Sequence, residues 1–368
     1  MFKLIVSIWL VSLNPSKSKA ILFSKKRSPS VPQGIIMNGT PLHFFCEVKH
    51  LGVILDSKLD WSPHVNSVIK KGNKILYPLQ LLKYKLPSSV LLVLYKSYIR
   101  PLLEYASPVW GGMKVNIDLE LEKLQNKALL AITGCIKSTS ILKMQTFLDL
   151  ESLKARRDYQ RLCIFYKIVT EKTPSYLMTR LQKCQPTRPN PRNFRRYIPP
   201  TSSYLSAQKS FFNHTISDWN ELSPRVRHLD VSLSSFKKVL RKRPDLKLGP
   251  YFFQDSRPLE IKLNRFMMNH SGLNGDLYAH GVLESPNCPC GAYEETKEHF
   301  IFVCPLYDLM RRTMLAELRV LDVIDDQNIR QPKKAYKAIL NSLLKSNPSH
   351  MAVSKIIQNF INDSLRFD

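Results

Sequence analysis

Apolar residues recur along this chain at two different spacings, and the change between them lays out its elements. Two short apolar runs, Ile35 to Met37 and Leu42 to Cys46, flank Asn38-Gly39. That dipeptide tolerates the positive backbone angles of a tight turn, so a β-hairpin is predicted there. A third run, Leu51 to Leu55, is rich in β-branched residues and contains Gly52, which leaves room for another backbone to approach. Ser62-Pro63 then offers a helix start, a hydroxyl cap before a proline whose missing N–H costs nothing at the first helical position. From there the period becomes helical: Val65, Val68, Ile69, Ile75, Leu76 and Leu79 share one face, with Lys70, Lys71 and Lys74 on the other. Pro78 is expected to kink or end this helix.

A second helical run, Val90 to Tyr98, is interrupted by Pro101 and resumes to Val109-Trp110, where Gly111-Gly112 ends it. Ile117, Leu121, Leu124, Ala128 and Ile132 form a third stripe, closed by Gly134. Three helices with one apolar stripe each must bury those stripes together, which predicts a small bundle with Trp110 and the neighbouring tyrosines in its core. Leu148 to Lys167 is a further helix carrying Arg156, Arg157 and Arg161. Past Thr173, prolines alternate with arginines, Arg192, Arg195 and Arg196 among them, and no periodicity survives; this reads as a basic linker that orders only against something anionic. Near the other end Val353, Ile356, Ile357, Phe360, Ile361 and Leu365 form one amphipathic helix that must pack on the body or a partner.

The expected fold class is therefore α+β and mostly α. It divides into residues 1–62 with the hairpin, a helical region 63–172, a basic Pro/Arg linker with a Trp219-Asn220 segment over 173–245, and a helical domain over 246–368.

Charge narrows the function. Lys+Arg number 55 against 29 Asp+Glu, a net charge of +26, which repels itself unless a polyanion neutralises it. Nucleic acid is the commonest such partner. A membrane is not expected, since nowhere do about 18 apolar residues run together. Leu4 to Leu13 followed by Ser18-Lys19-Ala20 has some look of a secretory leader, but its basic region is a single Lys and lysines crowd the cleavage position, so secretion is not expected. Lys25-Lys26-Arg27 before Ser/Pro reads as an exposed loop. Asp325-Asp326 is the paired aspartate of the chain and reads as a surface pair.

Three of the seven cysteines cluster with a histidine: Cys288, Cys290, His299 and Cys304 give C-x-C-x8-H-x4-C. Three thiolates and one imidazole can complete a tetrahedral zinc site closed to solvent, and Gly291 permits the sharp turn between the close pair and the rest. Four ligands with no vacancy point to structural rather than hydrolytic zinc. A disulfide is the competing account and would leave one of the three thiols unpaired.

The wording of several stretches adds a resemblance. V-K-H-L-G-V-I-L-D-x-K-L-x-W-x-x-H (Val48 to His64), L-Y-x-S-x-I-x-P-x-L-x-Y-x-x-x-V-W (Leu94 to Trp110) and L-x-x-L-Q-N-K-A (Leu121 to Ala128) occur in order, and C-x-C-G-x-x-E-x-T-x-E-H-x-x-x-x-C-P follows. Together they resemble the C-terminal part of reverse transcriptases of non-LTR, LINE-type retrotransposons, of the jockey-like and chicken-repeat-like groups. Trp9, Leu13-Asn14-Pro15 and Ile21-Leu22-Phe23 resemble the family's last palm segment, in which Lys17 or Lys19 would lie near the incoming nucleotide.

The resemblance implies a palm remnant whose Leu51-Gly52 stretch is the primer grip, a helical thumb over the bundle, and a zinc-binding tail. It implies RNA, DNA or an RNA–DNA duplex as partner. With the basic charge, the expected contacts are Lys70, Lys71, Lys74, Arg156, Arg157, Arg192, Arg195, Arg196, Arg311 and Arg312. His270 matches a further family position without metal-type spacing to the cluster. The two-metal carboxylates of the palm, a Tyr-Ala-Asp-Asp motif and an upstream Asp, are not found here, so catalytic residues are none. Magnesium is expected only in a full-length parent enzyme, and this chain alone is expected to be inactive as an RNA-directed DNA polymerase. A missing N-terminal polymerase half is then a possible partner, in a nuclear or cytoplasmic ribonucleoprotein. The alternatives are a domesticated zinc-containing scaffold that binds nucleic acid and a non-functional transposon remnant.

Overall fold

The computed structural model describes residues 14–27, 29–30, 34–183, 196–201, 210–227, 232–240, 256–344 and 349–367. In chain order the strands and the longer helices are β1 (Ile36–Met37), β2 (Thr40–Pro41), β3 (Glu47–His50), β4 (Val53–Asp56), α1 (Ser62–Leu81), α2 (Ser88–Leu94), α3 (Val115–Thr133), α4 (Ile141–Phe147) and α5 (Leu153–Val169). Then come β5 (Gln182–Lys183), β6 (Tyr197–Ile198), α6 (Phe211–Glu221), α7 (Leu233–Leu240), α8 (Arg257–Met267), α9 (Asn274–Ala279), α10 (Asp308–Val320), α11 (Pro332–Leu344) and α12 (Ser349–Asp363). The protein is mostly helical with a few short strands, in line with the expected class. Trp9, Arg192 and Arg195 lie outside the described residues.

Asn38 and Gly39 take φ of 49° and 76° and turn β1 antiparallel onto β2, as the dipeptide predicted. A second hairpin, β3 on β4, has Leu51 and Gly52 as its turn, with φ of 46° and 85°. The strand expected over Leu51 to Leu55 therefore starts at Val53. Gly52 is approached by a side chain rather than a backbone: a Cβ there would lie 3.1 Å from the Tyr105 ring, whose hydroxyl donates to the Leu51 carbonyl at 2.8 Å. The turn from β4 into α1 is organised by Asp56, which accepts from the backbone N–H groups of Lys58, Asp60 and Trp61 at 2.9–3.0 Å. That satisfaction of a buried carboxylate releases the chain into α1 at Ser62.

Three helical expectations need correcting. α1 runs through Pro78 to Leu81, because the ring forfeits only one backbone bond in the last turn, at the exposed Lys74. The run from Ser88 passes Pro101 without a break, since a π-turn at Tyr95–Ile99 shifts the hydrogen-bond ladder just ahead of the ring. It breaks instead at Ala106 (φ 53°) before the short turn Ser107–Trp110, and the helix expected from Leu148 starts at Leu153. Trp110 and Tyr95 are buried as expected, whereas Tyr98 and Tyr105 are exposed.

The described residues form two compact units. The first is drawn from Met1–Lys71, Glu104–Leu121 and Arg157–Leu240. It holds the hairpins and a core of Phe165, Tyr166, Tyr197, Ile216, Trp219 and Phe236, in which Tyr166 and Phe236 stack at 4.1 Å. Asn220 pins β6 by exchanging bonds with the Tyr197 backbone, so the Trp-Asn segment serves packing. His64 lies buried under Trp110, its ring 5.4 Å away, and accepts the Ile54 N–H through Nδ1 at 3.3 Å.

The second unit is drawn from Gly72–Leu103, Glu122–Arg156 and Arg241–Asp368. α12 packs on α8, α10 and α11, as its apolar stripe required. At its other end Arg257 is buried with Glu260 at 2.7 Å and donates to the carbonyls of Lys83, Ala131 and Ile132. α3 ends at Gly134 in the left-handed region (φ 71°), pressed on Ile261 so closely that a Cβ would sit 2.4 Å from its side chain.

Gly134→Ala meets both strain and overlap, and chemical denaturation should show a loss of about 2–4 kcal/mol; a change below about 0.5 kcal/mol would contradict this placement. Burial, and then Lys71, hold the His64 pKa below its ordinary value. The unfolded chain thus takes a proton at a pH where the folded one does not, so the contribution of His64 is full above about pH 6.5 and lost as pH falls below it. His64→Gln should flatten the decline in stability between pH 7 and 5 relative to the parent; equal slopes would refute it.

Candidate metal centre and basic surface

Two short segments bring the four metal-type side chains together. Cys288 and Cys290 sit on a tight turn closed by Cys288 N–H to the Ala292 carbonyl and Gly291 N–H to the Cys288 carbonyl, both 2.9 Å. Gly291 has φ 94°, the angle for which glycine is needed. His299 opens a π-turn, His299–Val303, whose first N–H is capped by Thr296 Oγ1 at 3.1 Å. Cys304 closes that turn through its N–H to the His299 carbonyl, 2.7 Å, and Pro305 prevents continuation. The i to i+5 step is what carries His299 and Cys304 toward one point.

The ligand atoms of Cys288, Cys290, His299 and Cys304 lie within 4.8 Å of one another. Cys288 Sγ is 3.7 Å from Cys304 Sγ, and Cys290 Sγ is 3.2 Å from His299 Nε2. A tetrahedral ion with metal–sulfur bonds of about 2.3 Å sets its sulfurs about 3.8 Å apart. The donor set and its spacing therefore fit a metal. Burial pushes the Cys288 thiol up to about 12 and raises Cys304 as well, while the Ala292 backbone N–H lowers Cys290. Burial also lowers His299, which keeps its imidazole neutral and its lone pair available. Among the described residues this is the cluster of three or more such side chains that could hold an ion. His270 is not in it; its ring stacks on His280 at 3.9 Å.

The arginines beside this cluster and on α5 divide in two. Arg311 was expected at phosphate, but it is buried, with Nε donating to the Ile301 carbonyl at 2.8 Å and Nη2 to that of Cys304. Arg157 is likewise buried and paired with Asp118. Neither is available to an external anion, and both are corrected from surface contact to internal pin. Arg161, unassigned by sequence, is buried beside Asp158 and Asp218. A signal was present: Arg157 and Arg161 continue the four-residue stripe of Leu153 and Phe165, and Arg311 falls on that of Tyr307 and Leu315. Arg156 is half-buried, 3.8 Å from Glu151. Arg312 is exposed and pairs with Asp308 at 2.7 Å.

The lysines are outside. Lys17, Lys19, Lys70, Lys71 and Lys74 are all exposed, as is Arg196. Lys19 lies over the Phe45 ring at 5.0 Å, and Leu51 is 78% exposed at the tip of its hairpin. Lys25 and Lys114 flank Asp60 at 3.4 and 3.2 Å. Asp325 and Asp326 are exposed, in keeping with a surface pair, and Asp326 meets Arg319 at 2.8 Å.

No family model matches the chain, and no solved structure matches it significantly. Curated relatives do. A probable RNA-directed DNA polymerase from transposon X-element of Drosophila melanogaster is 29% identical over 163 residues, covering 42% of this chain and 18% of the relative. A retrovirus-related Pol polyprotein from type-1 retrotransposable element R1 of Bradysia coprophila is 24% identical over 318 residues, 82% of this chain and 28% of the relative. The RNA-directed DNA polymerase from mobile element jockey of Drosophila melanogaster is 29% identical over 133 residues, 34% of this chain and 14% of the relative. The chain thus spans less than a third of the length of these relatives. The resemblance read in the motifs holds: this chain is related to a region of the RNA-directed DNA polymerases of non-LTR, LINE-type retrotransposons.

Proposed function

We propose that this chain is the C-terminal, nucleic-acid-holding part of such a polymerase, with a thumb-like helical region, and that it grips an RNA–DNA or DNA template-primer. The observation that carries the reading is the exposed lysine set of the first unit, Lys17, Lys19, Lys70 and Lys71, on the unit that also carries the Leu51-Gly52 hairpin. Unpaired cations at this density attract a polyanion and release its counterions. The Leu51-Gly52 turn, held from behind by Tyr105, would be the primer grip, since a rigid exposed turn can press on a strand end without ordering cost. Polymerisation needs carboxylates holding two ions. In this reading another part of the polymerase supplies them, and this chain alone does not extend a primer.

The same reading assigns zinc to Cys288, Cys290, His299 and Cys304. Bound there, zinc would join the turn carrying the cysteine pair to the π-turn, a structural task for a four-ligand site.

Binding to an RNA–DNA duplex should weaken linearly in log-log terms with salt, and Lys70→Ala with Lys71→Ala should lower the slope by about 2 and the affinity about tenfold at low salt. Affinity unchanged by salt would defeat the proposal. The purified chain should carry about one zinc by elemental mass spectrometry, and Cys304→Ser should lose most of it. Stoichiometric metal in that variant would contradict the assignment.

A further inference from the structure

Glu295 lies in the loop between Cys290 and His299 and is completely buried. A carboxylate in that position is costly unless every lone pair is used. It is matched from a distant stretch of sequence: Arg366 Nε donates to one oxygen at 2.9 Å and Nη2 to the other at 2.6 Å, a bidentate pair. The Asn274 N–H adds a bond at 2.6 Å, and Arg366 also reaches the Asn274 side chain at 2.8 Å. Behind it the chain comes so near that a Cβ on Gly275 would lie 2.7 Å from the Glu295 carbonyl. The Glu295 N–H in turn donates to the Pro286 carbonyl at 2.8 Å, two residues before Cys288. The adjoining Phe367 ring sits edge-on to Phe300, 5.5 Å away, and Phe300 follows ligand His299 directly.

Both halves of the cysteine–histidine cluster are therefore braced by one dipeptide, the cysteine turn through Glu295 and the histidine turn through Phe300. We propose that Arg366 and Phe367 are positioning residues for the metal centre, acting as a latch whose closure keeps the four ligand atoms together and slows release of the ion. The latch rests on the metal assignment above. Its residues act by holding the loop that carries the ligands. Without the latch the two turns can separate while the packed helices α8, α10, α11 and α12 stay folded.

The test uses the full chain loaded with zinc, and with cobalt as a spectroscopic substitute. Zinc release to a chromogenic chelator is timed for the parent, Arg366→Ala, Phe367→Ala and the uncharged pair Arg366→Met with Glu295→Gln. The pair removes the ionic lock without stranding a buried carboxylate, so it remains informative if Arg366→Ala fails to fold. Loss of a group hydrogen-bonded directly to a ligand weakens metal binding about ten- to a hundredfold, and a brace one step further out is set at the lower end of that range. Each folded variant is thus expected to release zinc at least about tenfold faster, with far-UV ellipticity kept and cobalt charge-transfer bands that retain the thiolate signature but saturate only at higher metal. Release at the parental rate from a folded uncharged pair overturns the latch and leaves the metal assignment standing. A parent that takes up neither zinc nor cobalt overturns the metal assignment, and the latch with it.

Discussion

Buried guanidinium–carboxylate pairing is the interaction on which the rest of this structure depends. Arg157 with Asp118, Arg161 with Asp218 and Arg257 with Glu260 each bring a cation into a packed region and match it there. Stranding a buried partner of such a pair costs about 3–5 kcal/mol. The first two pairs join separate helices, whereas Arg257 and Glu260 share one helix, and it is the Arg257 bonds to the Lys83, Ala131 and Ile132 carbonyls that hold that helix to its neighbours. The pairs also have an external consequence. The chain has 29 acidic residues against 55 basic ones, and internal arginines take a share of the few carboxylates. Each pairing removes one charge of either sign, so the excess of basic residues remains for the exterior, where Lys17, Lys19, Lys70 and Lys71 are exposed. That excess is what a polyanion meets first.

The second unit adds a different means of holding a polypeptide together. The segment from Pro286 to Cys304 has little regular structure before its π-turn, whose Phe300 and Ile301 enter the hydrophobic core of the unit. Metal-type ligands and the Glu295–Arg366 pair add a second set of ties to that core. Arg311 fastens the outgoing side by taking the carbonyls of Ile301 and Cys304. A small loop-rich region gains most from cross-links of this sort, because its own burial cannot offset the entropy of ordering it.

Much of this was legible in sequence where local chemistry decides the outcome. Asn38-Gly39 specified its hairpin, Gly134 its helix end, and the C-x-C-x8-H-x4-C spacing brought four ligands to one point. Pro78 and Pro101 misled because a proline in a last turn, or beside a π-turn, disturbs little. The adjacent arginines misled for a related reason: basic composition suggests a solvated face, while the four-residue stripe places Arg157 and Arg311 inside. Tyr105 supports the Leu51-Gly52 turn across 54 residues of sequence, and Arg366 meets Glu295 across 71. Nothing local announces either contact, since each depends on how distant segments fold back.

Lysine footprinting by amine acylation and mass spectrometry tests the central claim most directly. The account predicts that an RNA–DNA duplex at low salt shields Lys19, Lys70 and Lys71 from reagent and that high salt restores their reactivity. Equal reactivity of these lysines with and without duplex, in a chain that nonetheless binds it, would contradict the account.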